Sequence, residues 1–185
     1  MSVSVLFGTT LAVAVGIGVT AQVTQAIQLR DGTVYFAYPP DLVEATTTFK
    51  AVNVWGATYY FTIGVPENAG EPLQRVTITQ QEGADNIRFK LEDSRAFVGT
   101  RNRKGERLTL AEVTNDRDTR TIFVNFDPPV TPGKMVTIGL RPVKNPRISG
   151  VYLFGVTVSP VGEKSHGQFI GFGRFHFYGG GIRQF

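Results

Sequence analysis

Histidine is the residue type most ready to act as a base near neutral pH, and the chain has two, His166 and His176. His166 lies in the polar run Gly162-Glu163-Lys164-Ser165-His166-Gly167, directly after a serine. Adjacent side chains seldom meet in a productive geometry, and no Gly-x-Ser-x-Gly elbow occurs, so His166 reads as a solvated loop residue. His176 alternates with Arg174 and Tyr178 and opposes Phe175 and Phe177, the pattern of a strand residue near a sheet surface. Neither builds a triad. The absence of cysteine removes thiol nucleophiles, thiolate metal sites, a lipoprotein anchor and a disulfide framework together. Asn115-Asp116-Arg117-Asp118 gathers oxygen ligands but lacks the length and closing glutamate of a calcium loop, and turn formation accounts for it. Two isolated histidines do not have zinc spacing. Glu92 and Asp93 point to opposite faces if they continue a strand, which argues against their pairing for glycoside hydrolysis. The residues therefore imply no catalytic group, no metal and no cofactor.

Two features suit binding. Arg95, Arg101, Arg103, Lys104 and Arg107 crowd one expected hairpin, and Arg141, Lys144 and Arg147 crowd another. Exposed basic loops hold sulfate, phosphate or carboxylate groups on polymers or lipids; the plainer reading is solubility and protection of a strand edge. Trp55 precedes Gly56, with Tyr59 and Tyr60 close behind. Near a loop tip it stacks a sugar face, but a place in the core is the expected one for a tryptophan of a β-sandwich.

The elements that must carry these residues read as strands. Alternation with period two runs through 33–38, 46–54 and 57–65, and through Val76 and Ile78 as a short strand. It continues through Ile87, Phe89 and Leu91, then Leu108 and Leu110, then Ile122, Val124 and Phe126 before Asp127-Pro128-Pro129. Val136, Ile138 and Leu140 stop at Pro142, and Tyr152, Phe154, Val156 and Val158 at Pro160; residues 169–178 come last. Only 41–44 and 70–73 suit a helical turn. Regular spacing, with proline ending the strands, predicts a single antiparallel immunoglobulin-like β-sandwich over 27–178 and a flexible tail over 179–185.

The first 26 residues carry no charged side chain and close on Thr24-Gln25-Ala26, which reads as a secretory leader ahead of Ile27. The run is also about long enough to act as a membrane anchor, although its glycines and threonines suit that poorly, and membrane association is expected only if it is retained. Apolar residues make up 42% of the chain, enough for a real core, and 18% are charged. The net charge of +4 favours anionic surfaces and is too small to imply nucleic acid.

Several segments together resemble a cyanobacterial family of secreted proteins known only as a domain of unknown function. They are Leu29–Phe36, Ala57–Leu73, Phe126–Pro129, Val136–Arg147, Gly150–Val156 and Phe169–Tyr178. The resemblance implies export to the periplasm or beyond and carries no assigned activity or site. The expectation is a non-catalytic exported protein that binds an anionic envelope polymer or an envelope protein through Arg95, Arg101, Arg103, Lys104, Arg107 and Trp55. The alternatives are a small-ligand or metal carrier and a carbohydrate-active hydrolase using paired carboxylates.

Overall fold

The computed structural model describes residues 27–28 and 31–179. The expected leader, 1–26, and the tail beyond Gly179 lie outside the described residues. Among the described residues twelve strands form, all paired antiparallel: β1 (Ile27–Gln28), β2 (Val34–Tyr35), β3 (Asp41–Thr47), β4 (Tyr59–Gly64), β5 (Leu73–Glu82), β6 (Phe89–Thr100), β7 (Arg103–Leu108), β8 (Leu110–Asp116), β9 (Thr121–Val130), β10 (Met135–Pro142), β11 (Gly150–Pro160) and β12 (Gln168–Phe177). One sheet runs β3-β4-β10-β6-β7, a second runs β12-β11-β5-β9-β8, and β1-β2 is a separate ribbon. The fold is the immunoglobulin-like β-sandwich that the sequence predicts. Among the described residues no helix is long and apolar enough to cross a membrane.

Alternation supplies the core directly. Tyr59, Phe61 and Ile63 face inward from β4, Ile138 and Leu140 from β10, and Tyr152, Phe154, Val156 and Val158 from β11. Phe175 and Phe177 complete the layer from β12. The Tyr59 ring stacks on Phe175 at 5.0 Å between centroids and meets Phe89 edge-on at 5.6 Å, while Phe154 meets Phe175 at 5.4 Å. Each fully buried ring contributes about 1.5–3 kcal/mol by burial, and each such pairing roughly 0.5–1.5 kcal/mol more. The two sheets also meet along one side, where β12 passes β3. A Cβ placed on Gly173 would stand 2.8 Å from the Ala45 Cβ and 3.0 Å from the Phe61 ring. Only glycine permits that approach.

Several expectations are corrected. The strand expected over 46–54 lies earlier, at β3, and takes in 41–44, where a helical turn was expected; its alternation is broken by an extra residue between Leu42 and Glu44. Residues 48–56 form a loop in which Asn53 has φ +61°. Gly70 has φ +86°, which no helical turn adopts, and Leu73 already begins β5, longer than the two-residue alternation suggested. Pro128 and Pro129 lie within β9 rather than after it. The ladder bulges between Arg75↔Asn125 and Leu73↔Val130, and the Gln74 side chain reaches across to donate to the Phe126 carbonyl at 2.6 Å. Arg141, Lys144 and Arg147 sit where the chain leaves the first sheet for the second, not on a hairpin.

Replacing Gly173 by alanine forces Ala45 or Phe61 aside. Gly173→Ala is expected to lose about 1–3 kcal/mol, read as a lowered urea midpoint at unchanged m.

Candidate functional site

Arg95 occupies β6, one strand in from the edge, and stands across the first sheet from Gly139 of β10 and Tyr60 of β4. All three face outward, since Tyr59 and Ile138, their inward neighbours, are buried in the core. Gly139 leaves the gap open: a Cβ there would meet the Tyr60 ring at 3.1 Å and the Arg95 Cγ at 3.4 Å. Across that gap the Arg95 guanidinium donates from Nη2 to the Tyr60 hydroxyl at 3.3 Å and to Thr58 Oγ1 at 3.4 Å. The next row pairs Thr137 with Phe97, and Phe97 in turn with Arg107. Thr137 donates its one hydroxyl proton to the Gly99 carbonyl at 2.7 Å, so Thr62 is the donor in the 2.9 Å Thr62–Thr137 contact.

This face is paved with two rings covered by cations. The Arg101 guanidinium lies 5.5 Å from the Tyr60 centroid, and the Lys104 ammonium 5.6 Å from that of Phe97. Each contact contributes about 0.5–1 kcal/mol at an exposed site and leaves the charge uncancelled. Among the described residues Arg95, Arg101, Lys104 and Arg107 have no carboxylate at ion-pair distance; the two ion pairs found there are Arg141–Asp93 at 3.4 Å and Arg147–Asp85 at 3.3 Å. Arg95, Lys104 and Arg107 line an open groove of about 430 Å³ together with Glu92 and Asp93. These two acids share the groove, contrary to strand alternation, because β6 bulges where Gly139↔Arg95 gives way to Arg141↔Lys90. Arg103, adjacent to Lys104 on an extended strand, points to the other side. The structure thus brings together four of the five expected hairpin cations and separates the fifth. Tyr60, Phe97 and Thr58 were missed as their platform.

A second groove, about 380 Å³, opens at the end of the same sheet and is lined by Trp55, Arg88, Lys144, Arg147 and Asp85 among others. Trp55 is 66% exposed, which overturns a core role, and the Lys144 ammonium stands 5.5 Å from its ring centroid. The loop bearing it is clamped. Asn145, buried, donates from Nδ2 to the Phe49 and Ala51 carbonyls at 2.9 Å each, accepts from the Tyr59 hydroxyl at 3.0 Å, and donates its backbone N–H to Val54. Asn53 N–H donates to Pro146 and Val52 N–H to Tyr178. Burial pushes the Tyr59 phenol well above its ordinary range. Asp85 accepts from the Arg147 backbone N–H at 2.8 Å and from its guanidinium at 3.3 Å, and these hydrogen bonds hold its carboxyl below the usual range.

The remaining candidates are occupied structurally. Asp116 is held by Thr119, through side chain and N–H, and by the Asp118 N–H; these hydrogen bonds depress its carboxyl and consume it in the β8–β9 turn. His166 is exposed with its ring 4.7 Å from Tyr35, and His176 is half-buried on the outer face of β12. Among the described residues no three acidic or histidine side chains gather as a metal site.

Asn145→Ala strips partners from the Tyr59 hydroxyl and two carbonyls and is expected to lose about 2–4 kcal/mol, against about 1–2 kcal/mol for Tyr59→Phe, by urea unfolding. Acid acts on Asp85. Its folded pKa lies below the unfolded one, so its contribution is complete above about pH 4 and is lost as pH falls through the folded value. The stability gap between wild type and Asp85→Asn is expected to be largest near neutrality and to shrink on acidification below that point.

No curated protein matches the sequence. Among solved structures, the chain is similar to the collagen-binding domain from a Staphylococcus aureus adhesin at 9% identity and TM-score 0.39, over 74% of this chain and 97% of that one. It is similar to the C-terminal domain of the Streptococcus pyogenes antigen I/II-family protein AspA at 14% identity and TM-score 0.42, over 72% and 46%. A structure described as manganese lipoxygenase of Gaeumannomyces graminis with partial zonadhesin of Komagataella pastoris gives 10% identity and TM-score 0.44, over 74% and 50%. This chain spans about half the length of the last two. The model of a protein family of unknown function, DUF2808, matches residues 33–177, and the chain belongs to that family.

Proposed function

We propose that the protein is a non-catalytic, exported binding module of a cyanobacterial cell envelope, and that the outer face of its first sheet holds an anionic envelope polymer or partner. The observation that carries this reading is the grouping of Arg95, Arg101, Lys104 and Arg107 over Tyr60 and Phe97, none of them at ion-pair distance from a carboxylate among the described residues. Edge protection accounts for charges on β7, an edge strand. It does not account for Arg95, which sits on an inner strand and is aimed by two hydrogen bonds. Cations held on aromatic faces keep their field outward, where it attracts and orients anionic groups. The uncharged run ahead of Ile27 supports export to the periplasm or cell surface. The separate settings of His166 and His176 support a role without catalysis.

Co-sedimentation of the protein with isolated envelope fractions at low and high salt tests this. Saturable binding that weakens with salt is expected, with a loss of roughly tenfold or more, about 1.4 kcal/mol, in the Arg101→Glu/Lys104→Glu/Arg107→Glu variant. Arg103→Glu, on the other side of β7, is expected to lose much less. Equal binding by wild type and the triple variant removes the basic face from the function.

A further inference from the structure

The basic face and the Trp55 groove share no lining residue, but they lie in one track along the first sheet, the basic groove over its middle and the Trp55 groove at one end. β10 ends at Pro142 and β6 begins at Phe89 at the same end of the first sheet, and the loop bearing Trp55 leads into β4 there. From that end the cations run from Lys144 and Arg88 beside Trp55, through Arg141 beside Lys90, to Arg95 and the Arg101 guanidinium at Tyr60, and finally to Arg107 and Lys104 at Phe97. Measured on the regular partner strand β10, the rows from Val136 to Pro142 cover roughly 20 Å. We infer that the track holds a linear acidic polysaccharide, with one sugar ring stacked on Trp55 and the carboxylates or sulfates of the following rings laid along the cations. This rests on the reading of the basic face as an anion-binding surface and names the class of polymer.

Charge alone selects no polyanion over another. Trp55 does. A large apolar ring left 66% exposed gains nothing for the fold, yet its loop is fixed by the buried Asn145 and by Asn53 and Val52. A rigid aromatic surface lowers the ordering cost of binding, and the apolar C–H face of a pyranose is the part of an acidic polymer that such a ring accepts. The charges around it fit an acidic sugar better than a neutral one. Asp85 is taken up by Arg147, so Lys144 and Arg88 are left without ion pairs among the described residues beside the ring. Farther along, Asp93 is offset by Arg141, and Glu92 remains as the acid with no ion pair in the groove.

Trp55 is the only tryptophan, so tryptophan emission, excited beyond the tyrosine band, reports this end of the track alone. The full chain is titrated with oligogalacturonates of increasing length, with a sulfated galactan, and with inorganic polyphosphate as a polyanion without rings. Calorimetry is run in parallel on the variants. Expected are a saturable Trp55 emission change with at least one acidic saccharide and affinity that rises with its length. Trp55→Ala should lose about tenfold for the saccharide while keeping its salt dependence and its polyphosphate affinity, Trp55→Phe should recover part of the loss, and Glu92→Gln should bind more tightly. Unchanged saccharide affinity in Trp55→Ala, or polyphosphate alone binding, overturns the sugar track and leaves the anion-binding face standing. Failure of every probe while envelope fractions still bind also overturns the track alone. Failure of both probes and fractions overturns the two readings together.

Discussion

The exposed chemistry of this domain depends on one buried amide. Asn145 has three side-chain partners in two parts of the architecture: the Tyr59 hydroxyl in the aromatic core, and the Phe49 and Ala51 carbonyls along the loop between β3 and β4. Two carbonyls can only accept, so the amide's orientation is fixed by its surroundings and the Tyr59 hydroxyl must donate to Oδ1. Tyr59 cannot answer by ionising, because its burial opposes the phenolate. A network of this kind in a low-dielectric interior is stable only when every member is paired. The loop consequently has one position available to it. Tyr178 adds to the constraint by exchanging backbone hydrogen bonds with Lys50 and Val52, which ties the loop of one sheet to the last strand of the other.

The consequence at the surface is a tryptophan whose place is determined by core packing. Its ring follows a stretch whose backbone is held by the Val52 and Asn53 N–H groups and the Val54 carbonyl, so less is left for a ligand to order. The basic residues obey a different constraint. They are held on Tyr60 and Phe97, rings that are themselves almost fully buried and belong to the sheet rather than to loops. A guanidinium resting on such a ring keeps most of its hydration on the outer side, and its charge is not neutralised as it would be by a carboxylate. The face is therefore positive without being strained. The outer face of the second sheet is different in kind. Thr77, Thr79 and Thr121 line its middle, and Phe169 and Phe172 meet at 4.9 Å on its edge strand.

Much of this architecture is legible in the residues. Tyr59, Phe61 and Ile63 alternate cleanly, and the sheet uses them as alternation demands. The basic hairpin is legible as a hairpin, but not which of its cations face the same way, because that depends on register. Arg95 meets Tyr60 only through Gly139, on a strand some forty residues away, and no local pattern encodes that row. The loop at 48–56 misled because Val52 and Val54 continue an apolar alternation while their hydrogen bonds go to Tyr178 and Asn145 instead of a neighbouring strand. Asn145 itself reads as turn punctuation before a proline. That is correct for its backbone and silent about a side chain whose partners lie nearly a hundred residues away. Pro128 and Pro129 read as a stop because a ladder has no place for them; the fold supplies one by bulging and by using Gln74 as a substitute donor.

Charge and stacking divide the work of recognition differently. A row of cations acts at a distance, attracts any polyanion and loses strength as salt rises, since its field is screened within about 8 Å at physiological ionic strength. An aromatic platform acts only on contact, is indifferent to salt, and rejects ligands without an apolar face to offer. Placed at the end of a charged track, it contributes little to capture and much to discrimination, because a ligand that cannot stack forfeits that contact while still meeting every cation. Discrimination of this sort needs the ring to stay put, since a mobile tryptophan would fold down onto the nearest apolar surface in preference to waiting in water. The buried Asn145 holds the backbone of the loop that carries the ring, so an amide in the interior bears on what the surface can select.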